Sequence, residues 1–297
     1  PISIAPLVEG EALRGIEYAM PVASAQVKSA LLLSGLYAEG PTILEEPVLS
    51  RDHTERMMLA LGVPLQTAGA SVALQPDADW SGGWDPFDWH VPGDPSSAAF
   101  PLLAAAMVPE SQVRVEDVCV NPTRTGLFDW VRLTGGNIAH RPSGHGAGDE
   151  PMAELTVAYG AIRGAVAGGE LIVRMIDEIP AICALAATAH GPTEIRDAAE
   201  LRVKESDRIA TMAQTLRAFG VPCEELPDGM LISGGTTLRG ARIDSKGDHR
   251  IAMSATLLGL VADGETQIDG AEAVDTSFPG FVSLLRSLGA EITEETV

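Results

Sequence analysis

Apolar and polar positions along the chain alternate between helical and strand-like periods, and one succession of elements comes round four times. An apolar, helix-like run ends in a turn and a short β-branched strand follows. Then come a polar loop, an amphipathic helix closing on a glycine, and another strand. The copies span residues 24–66, 93–140, 177–225 and 247–295, opening on SAQVKS, GDPSSA, DEIPAI and GDHRIA. The helical period is plainest in RIATMAQTLRAFG, where Ile209, Met212, Leu216 and Phe219 fall on one face. PTILEE, SQVRVED, GPTEIRD and ETQIDG read as the strands after each first helix. Gly62, Gly136, Gly220 and Gly289 stand where a helix ends in a left-handed residue. One copy alone is an ordinary α/β unit. Four in register, at periods too long for a typical solenoid, predict compact α/β domains built from a duplicated unit.

Each copy opens its first helix with a polar motif, and helix N-termini offer free N–H groups and a positive dipole end to anions. In GDPSS, capping by Asp94 or Ser96 with Pro95 in the first turn accounts for the residues. GDHR is different, because Arg250 at a helix start opposes the dipole and so points to a ligand. RVKESDR packs Lys204, Glu205 and Arg208 around the start of the next helix, with Ser206 or Asp207 as cap and Glu205 three positions from Arg208. Such knots are commonly solvated salt-bridge clusters. Two features favour a site here. Lysine is rare (Lys28, Lys204 and Lys246), and Arg51, Arg208 and Arg250 occupy equivalent helix-start regions of different repeats.

Composition narrows the partners. With 41 acidic against 20 basic residues, a net charge of −21 excludes the basic footprint a nucleic acid needs. An anion must therefore be held by a few concentrated Arg and Lys side chains. The longest apolar run, AAFPLLAAAMVP, is too short for a membrane helix, and PISIAPLVEG carries no signal-peptide pattern. Cys119, Cys183 and Cys223 are odd in number and unpatterned, reading as buried thiols in a reducing, cytoplasmic setting. No metal-spaced cluster is visible.

Taken together, SAQVKSA, SRDHTERM, GDPSSAAFPL, NPTRTG, DEIP, LRVKESDR and DHRIAM resemble the EPSP synthase (3-phosphoshikimate 1-carboxyvinyltransferase) family of enolpyruvyl transferases. The wording is closest to its bacterial subfamily with glyphosate-tolerant members. The resemblance implies an α/β fold of two domains, each of three β/α repeats, with substrates in the cleft between them. On that scheme residues 1–91 are the last repeat of an incomplete first domain and 92–297 a second domain of three repeats, with a crossover near Val91 and Pro92.

The activity implied is transfer of the enolpyruvyl group of phosphoenolpyruvate to the 5-hydroxyl of shikimate 3-phosphate, by addition and elimination, with no cofactor and no metal. Carried over by motif, Ser24, Ala25, Gln26 and Arg51 hold shikimate 3-phosphate together with Asp177 and Lys204. Gln26, Arg208 and Arg250 hold phosphoenolpyruvate. Asp177 is the base for the hydroxyl, Glu205 trades a proton with the methylene carbon, and Lys204 lies near the reacting groups. Lys28 is a weaker candidate that balances a helix surface. Where many relatives place a lysine ahead of TFP, this chain reads AVDTSFPG with Asp275 and Thr276. The family's N-terminal Pro-Gly-Ser-Lys-Ser and Asn-Ala-Gly-Thr motifs are not in this sequence. The resemblance is thus to the C-terminal two-thirds of the enzyme, with a further N-terminal segment expected in cis or in trans. Two rival readings stand: an inactive truncated or split-enzyme fragment, and a UDP-N-acetylglucosamine enolpyruvyltransferase, which uses a loop cysteine as acid.

Overall fold

In the computed structural model, which describes residues 3, 5–8, 11–75 and 83–295, the repeat of the sequence becomes a repeated pattern of strand pairing. The chain divides into two units. One holds the described residues up to Pro92 together with His145–Pro151, and the other holds Gly93–Gly144 and the chain from Met152 onward. The return of residues 145–151 to the first unit has no signature in the hydrophobic pattern, which follows the chain consecutively.

The first unit runs β1 (Leu13–Arg14), β2 (Glu17–Ala19), α1 (Ala25–Gly35), β3 (Ala38–Glu39), β4 (Thr42–Glu45), α2 (His53–Ala60), β5 (Leu65–Ala68) and β6 (Ser71–Leu74). Strands β1 and β3 pair in parallel, and the main sheet has the order β2-β4-β6-β5, parallel at its first pair and antiparallel after it. Its core is Leu32, Leu44, Met58, Val63, Leu65, Val72 and Leu74. Helix α1 carries Gln26, Lys28, Ser29 and Ser34 among its apolar residues and buries only Lys28, Leu32 and Gly35, leaving Val27 and Leu33 43% and 52% exposed.

The second unit runs α3 (Pro95–Met107), β7 (Gln112–Cys119), α4 (Gly126–Leu133), β8 (Asn137–His145), β9 (Pro151–Ala158), β10 (Val166–Ala167), α5 (Glu170–Val173), α6 (Ile179–Thr188) and β11 (Pro192–Ile195). It continues through α7 (Arg208–Ala218), β12 (Cys223–Leu226), β13 (Gly229–Ser233), β14 (Arg242–Asp244), α8 (His249–Gly259), β15 (Gln267–Asp269) and α9 (Phe281–Ser287). The sheet β10-β11-β13-β12 repeats the first unit's main sheet strand for strand, parallel then antiparallel. Strands β14 and β15 reproduce its parallel pair, and β7-β9-β8 form a third sheet. The first helices of three copies, α3, α6 and α8, pack on one another in the centre of this unit. Alanine-rich and apolar all round, α3 buries twelve of its thirteen residues and α6 nine of ten, as expected of a helix with no solvent face.

Four helix ends share one hydrogen-bond pattern. The N–H groups of Val63, Gly136, Val221 and Ala290 return to the carbonyls of Met58, Val131, Leu216 and Leu285 at 2.8–3.0 Å, the long bond of a Schellman motif. Gly62, Gly220 and Gly289 take the left-handed position expected of them, at φ of 74°, 86° and 101°. In the second copy that position belongs to Gly135, at φ 84°, and Gly136 is the residue after it. The sequence also leads one to expect a closing strand in EITEE, but among the described residues 290–295 there is none. Strands β5 and β12 are each held by an antiparallel partner that follows at once, β6 and β13. Here Arg286 ties the segment down instead, donating to the Ile292 carbonyl at 2.7 Å and pairing with Glu294 at 2.9 Å.

Candidate active site

In the second unit the N-termini of the central helices lie together, and the residues singled out from three separate stretches converge on them. Asp177 sits in the 3-10 turn Ile176–Glu178 that leads into α6. Lys204 follows the 3-10 turn Ala199–Val203, and Asp207 caps α7 by accepting the Ala210 N–H at 3.0 Å. Asp248 caps α8 by accepting the Arg250 N–H at 2.9 Å. The Lys204 Nζ lies 2.7 Å from Glu200 and 4.0 Å from the Asp177 carboxylate.

Arg208 is the hub. Its side chain is 1% exposed and its Nε donates to Asp248 Oδ2 at 2.9 Å, with Nη2 3.4 Å from the other oxygen. The same guanidinium lies 2.6 Å from Glu205 and 3.6 Å from Asp177. Buried beneath it, Asp248 also accepts from the Ser206 hydroxyl at 2.9 Å. Burial pushes the Asp248 carboxyl up, but the Arg208 bonds and charge, with Ser206 and the Arg250 N–H, outweigh it and hold the carboxyl below its ordinary range. Arg250 donates from Nη1 to the Asp177 carbonyl at 2.9 Å. Its charge at a helix start is therefore offset by the Asp248 cap. A ligand reaching Arg208 meets a guanidinium already engaged. Glu205, about half exposed, is the partner freest to leave it.

A second cluster adjoins the first. Asp94 is the N-cap of α3, accepting the Ser96 and Ser97 N–H groups at 3.1 and 2.9 Å. The Ser96 hydroxyl turns inward to donate to the buried Glu178 and accepts from Arg124 at 2.6 Å. Arg124 lies 3.6 Å from the Glu178 carboxylate. Burial raises the Glu178 pKa above the usual carboxylate value, Arg124, Ser96 and Arg250 pull it down, and Asp177 adds to the rise; the net effect is upward. Burial and the neighbouring Arg250 push His249 below its ordinary value. Asp248, Glu178 and Arg124 were not among the residues the sequence singled out. Asp248 had a signal, an N-cap residue ahead of an apolar run. Glu178 and Arg124 lie in the motifs DEIP and NPTRTG, but nothing local signals their pairing across more than fifty residues.

In the first unit, Ser24 caps α1, its hydroxyl accepting the Val27 N–H at 3.4 Å, and Ala25 and Gln26 form the first turn. Arg51 is partly buried in the loop that leads to α2. Lys28 does not balance a helix surface. It is wholly buried, 2.8 Å from Glu46 and 2.6 Å from Glu55. The three cysteines are free thiols; Cys119 and Cys183 are buried, and Cys223 is partly exposed on β12. Burial pushes Cys223 up to about 11.

A family model described as EPSP synthase (3-phosphoshikimate 1-carboxyvinyltransferase) matches residues 2–285. The chain belongs to the EPSP synthase family. A 3-phosphoshikimate 1-carboxyvinyltransferase of Geobacter sp. (strain M21) is 50% identical over 282 residues, covering 95% of this chain and 65% of the relative. The protein of the same description from Desulforudis audaxviator is 48% identical over 291 residues, covering 97% and 66%. Among solved structures, an EPSP synthase from Acinetobacter baumannii superposes with a TM-score of 0.85 at 40% identity, over 94% of this chain and 64% of that one. The chain thus spans slightly less than two thirds of the length of the relatives it matches, and it shares the family's α/β fold. Among the described residues no helix is long and apolar enough to cross a membrane.

Proposed function

We propose that the chain serves the family's enolpyruvyl transfer, from phosphoenolpyruvate to the 5-hydroxyl of shikimate 3-phosphate, with release of phosphate. The convergence of Asp177, Lys204, Glu205, Arg208 and Arg250 at the N-termini of α6, α7 and α8 carries the reading, because the reaction must gather anions around one acid and one base. Ser24, Ala25, Gln26 and Arg51, with Asp177 and Lys204, bind shikimate 3-phosphate. Arg208, Arg250 and Gln26 bind phosphoenolpyruvate, whose carboxylate takes the place of Glu205 against Arg208.

In the addition step Asp177 accepts the hydroxyl proton as the oxygen bonds to C2 of phosphoenolpyruvate. Glu205, displaced from Arg208 and protonated, delivers a proton to C3, which becomes a methyl group. In the elimination step Glu205 takes a proton back from that methyl, the C2–phosphate oxygen bond breaks, and phosphate leaves with the proton that Asp177 took from the hydroxyl. Lys204, beside Asp177, stabilises charge on the oxygens during both steps.

A further segment of the family's chain, in cis or in trans, belongs to this proposal. Of the three helices equivalent to α1 in the second unit, α3 and α6 are almost wholly covered, whereas α1 exposes Val27 and Leu33. The reading also carries a cytoplasmic setting, with which free thiols agree.

The test is phosphate release from the two substrates by this chain, alone and with the remaining third of a relative's sequence supplied. Release that disappears in Lys204→Ala and Asp177→Asn is the expected result. Release with UDP-N-acetylglucosamine in place of shikimate 3-phosphate would transfer the assignment to the sister enzyme. No release and no substrate binding under either condition would leave an inactive fragment.

A further inference from the structure

Lys28 is a buried charge that the chemistry above does not use. Its ammonium is shared by two carboxylates, Glu46 at 2.8 Å and Glu55 at 2.6 Å, and all three side chains are at most 4% exposed. Such a triad is a poor device for stability. Desolvating three charges costs more than an apolar cluster of the same volume, and this one carries an excess negative charge. The strain shows in its atoms. Among the described residues Glu46 Oε1, Glu55 Oε2 and the neighbouring Ser50 hydroxyl have no hydrogen-bond partner, and burial pushes the Glu55 carboxyl up despite the bond from Lys28.

Its connections suggest another purpose. Lys28 lies one helical turn past Ser24, and its own N–H bonds to the Ser24 carbonyl at 3.0 Å. Glu46 is fixed to the sheet by its N–H bond to the Ala70 carbonyl, and its Oε2 also accepts the N–H of Ser50, the residue before Arg51, at 3.3 Å. Glu55 is in the first turn of α2, and a bond of 2.7 Å between the Ser29 and Thr54 hydroxyls ties α1 to α2 beside it. One ammonium therefore spans the helix start bearing Ser24–Gln26, the turn before Arg51, and α2.

We propose that Lys28 is a positioning residue that fixes the spacing between the Ser24–Gln26 helix start and Arg51, and so shapes the seat for the phosphate of shikimate 3-phosphate. This rests on the substrate assignment made above.

Amide hydrogen exchange on the ligand-free chain reads the geometric part without any substrate. Lys28→Met is expected to speed exchange at residues 24–28 and 50–52 by about tenfold while β4, β5 and β6 keep their protection. Lys28→Arg is expected to restore most of it. Calorimetry on the same proteins should show shikimate 3-phosphate affinity falling about tenfold in Lys28→Met, with Arg51→Ala measured alongside. Should Lys28→Met fail to fold, Glu46→Gln reads the same two segments, because it weakens the link to Lys28 and to the Ser50 N–H together. Unchanged exchange at 24–28 and 50–52, or loosening spread evenly over the unit, overturns the proposal. So does local loosening with affinity intact. If Arg51→Ala also leaves affinity untouched, the substrate assignment itself is wrong, which is a different failure from that of the clamp.

Discussion

Asp248 holds together more of the candidate site than any residue chosen for its chemistry. It caps α8, takes two bonds from the buried Arg208 and one from Ser206, and so sets where Arg208 and Arg250 stand. Asp248→Asn leaves a buried guanidinium without its counter-charge and should cost about 3–5 kcal/mol, read as the shift of the urea midpoint. A loss under about 1 kcal/mol would mean that Glu205 and Asp177 alone neutralise Arg208. The carboxyl of Glu178 makes the opposite prediction with pH. Its native pKa is raised, so the fold loses stability as pH climbs above the ordinary value of 4.5 and Glu178 ionises in its buried site. Glu178→Gln should therefore gain on the parent chain as pH rises from 4.5 toward neutrality. A difference in urea midpoint that is flat over that range would rule the effect out. At this scale the sequence was informative where a residue type is unusual for its place. Arg250 at a helix start and Lys204 in a lysine-poor chain were legible. The pairing of Asp248 with Arg208, that of Glu178 with Arg124 and the burial of Lys28 were not, because nothing local records which distant carboxylate or cation a charge will meet.

Elements repeat more faithfully than residues do, and their most regular marker is a glycine the hydrophobic pattern passes over. Gly15, Gly164 and Gly240 each follow an arginine just before the first strand of a main pair, in LRGIE, IRGAV and LRGAR. At each, an added Cβ would sit 2.0–2.1 Å from a backbone carbonyl oxygen, those of Pro41, Pro192 and Glu265. Neither backbone can give way without breaking the parallel pairing beside it. Gly164→Ala and Gly240→Ala should each cost at least the 1–3 kcal/mol typical of overpacking. Gly289→Ala, at φ 101° in open space, should cost only about 1–2 kcal/mol of left-handed strain. Thermal melts of the three variants check the order, and Gly289→Ala proving the most damaging would refute it. The helices and their order were legible because apolar runs of ten or more residues have few other uses. The shift of the left-handed cap from Gly136 to Gly135 was not, since two adjacent glycines leave the choice to the Val131 carbonyl. Nor was the missing last strand, which depends on a pairing partner rather than on its own residues.

At the scale of the whole molecule the charge runs against the proposed ligands. A chain of net charge −21 repels a phosphorylated substrate at long range, while attraction comes from a few cations at short range. Even the cluster around Asp177 is balanced rather than positive: Lys204, Arg208, Arg250 and Arg124 stand among Asp177, Glu178, Glu200, Glu205 and Asp248. Salt separates the two ranges. The screening length shrinks to about 10 Å at 0.1 M, so added salt removes the distant repulsion first and the contact pairs last. The association rate of shikimate 3-phosphate should therefore rise about two- to fivefold between roughly 10 and 100 mM NaCl, the reverse of a site steered by a positive field. Stopped-flow fluorescence measures it, with the tryptophans of the chain as reporters. A rate that falls with salt would mean that the local cations dominate at distance and that the acidic surface faces away from the path of entry. A rising rate would assign the acidic excess to solubility and partner choice, and leave capture of the anion to Arg51, Lys204 and Arg250 at contact.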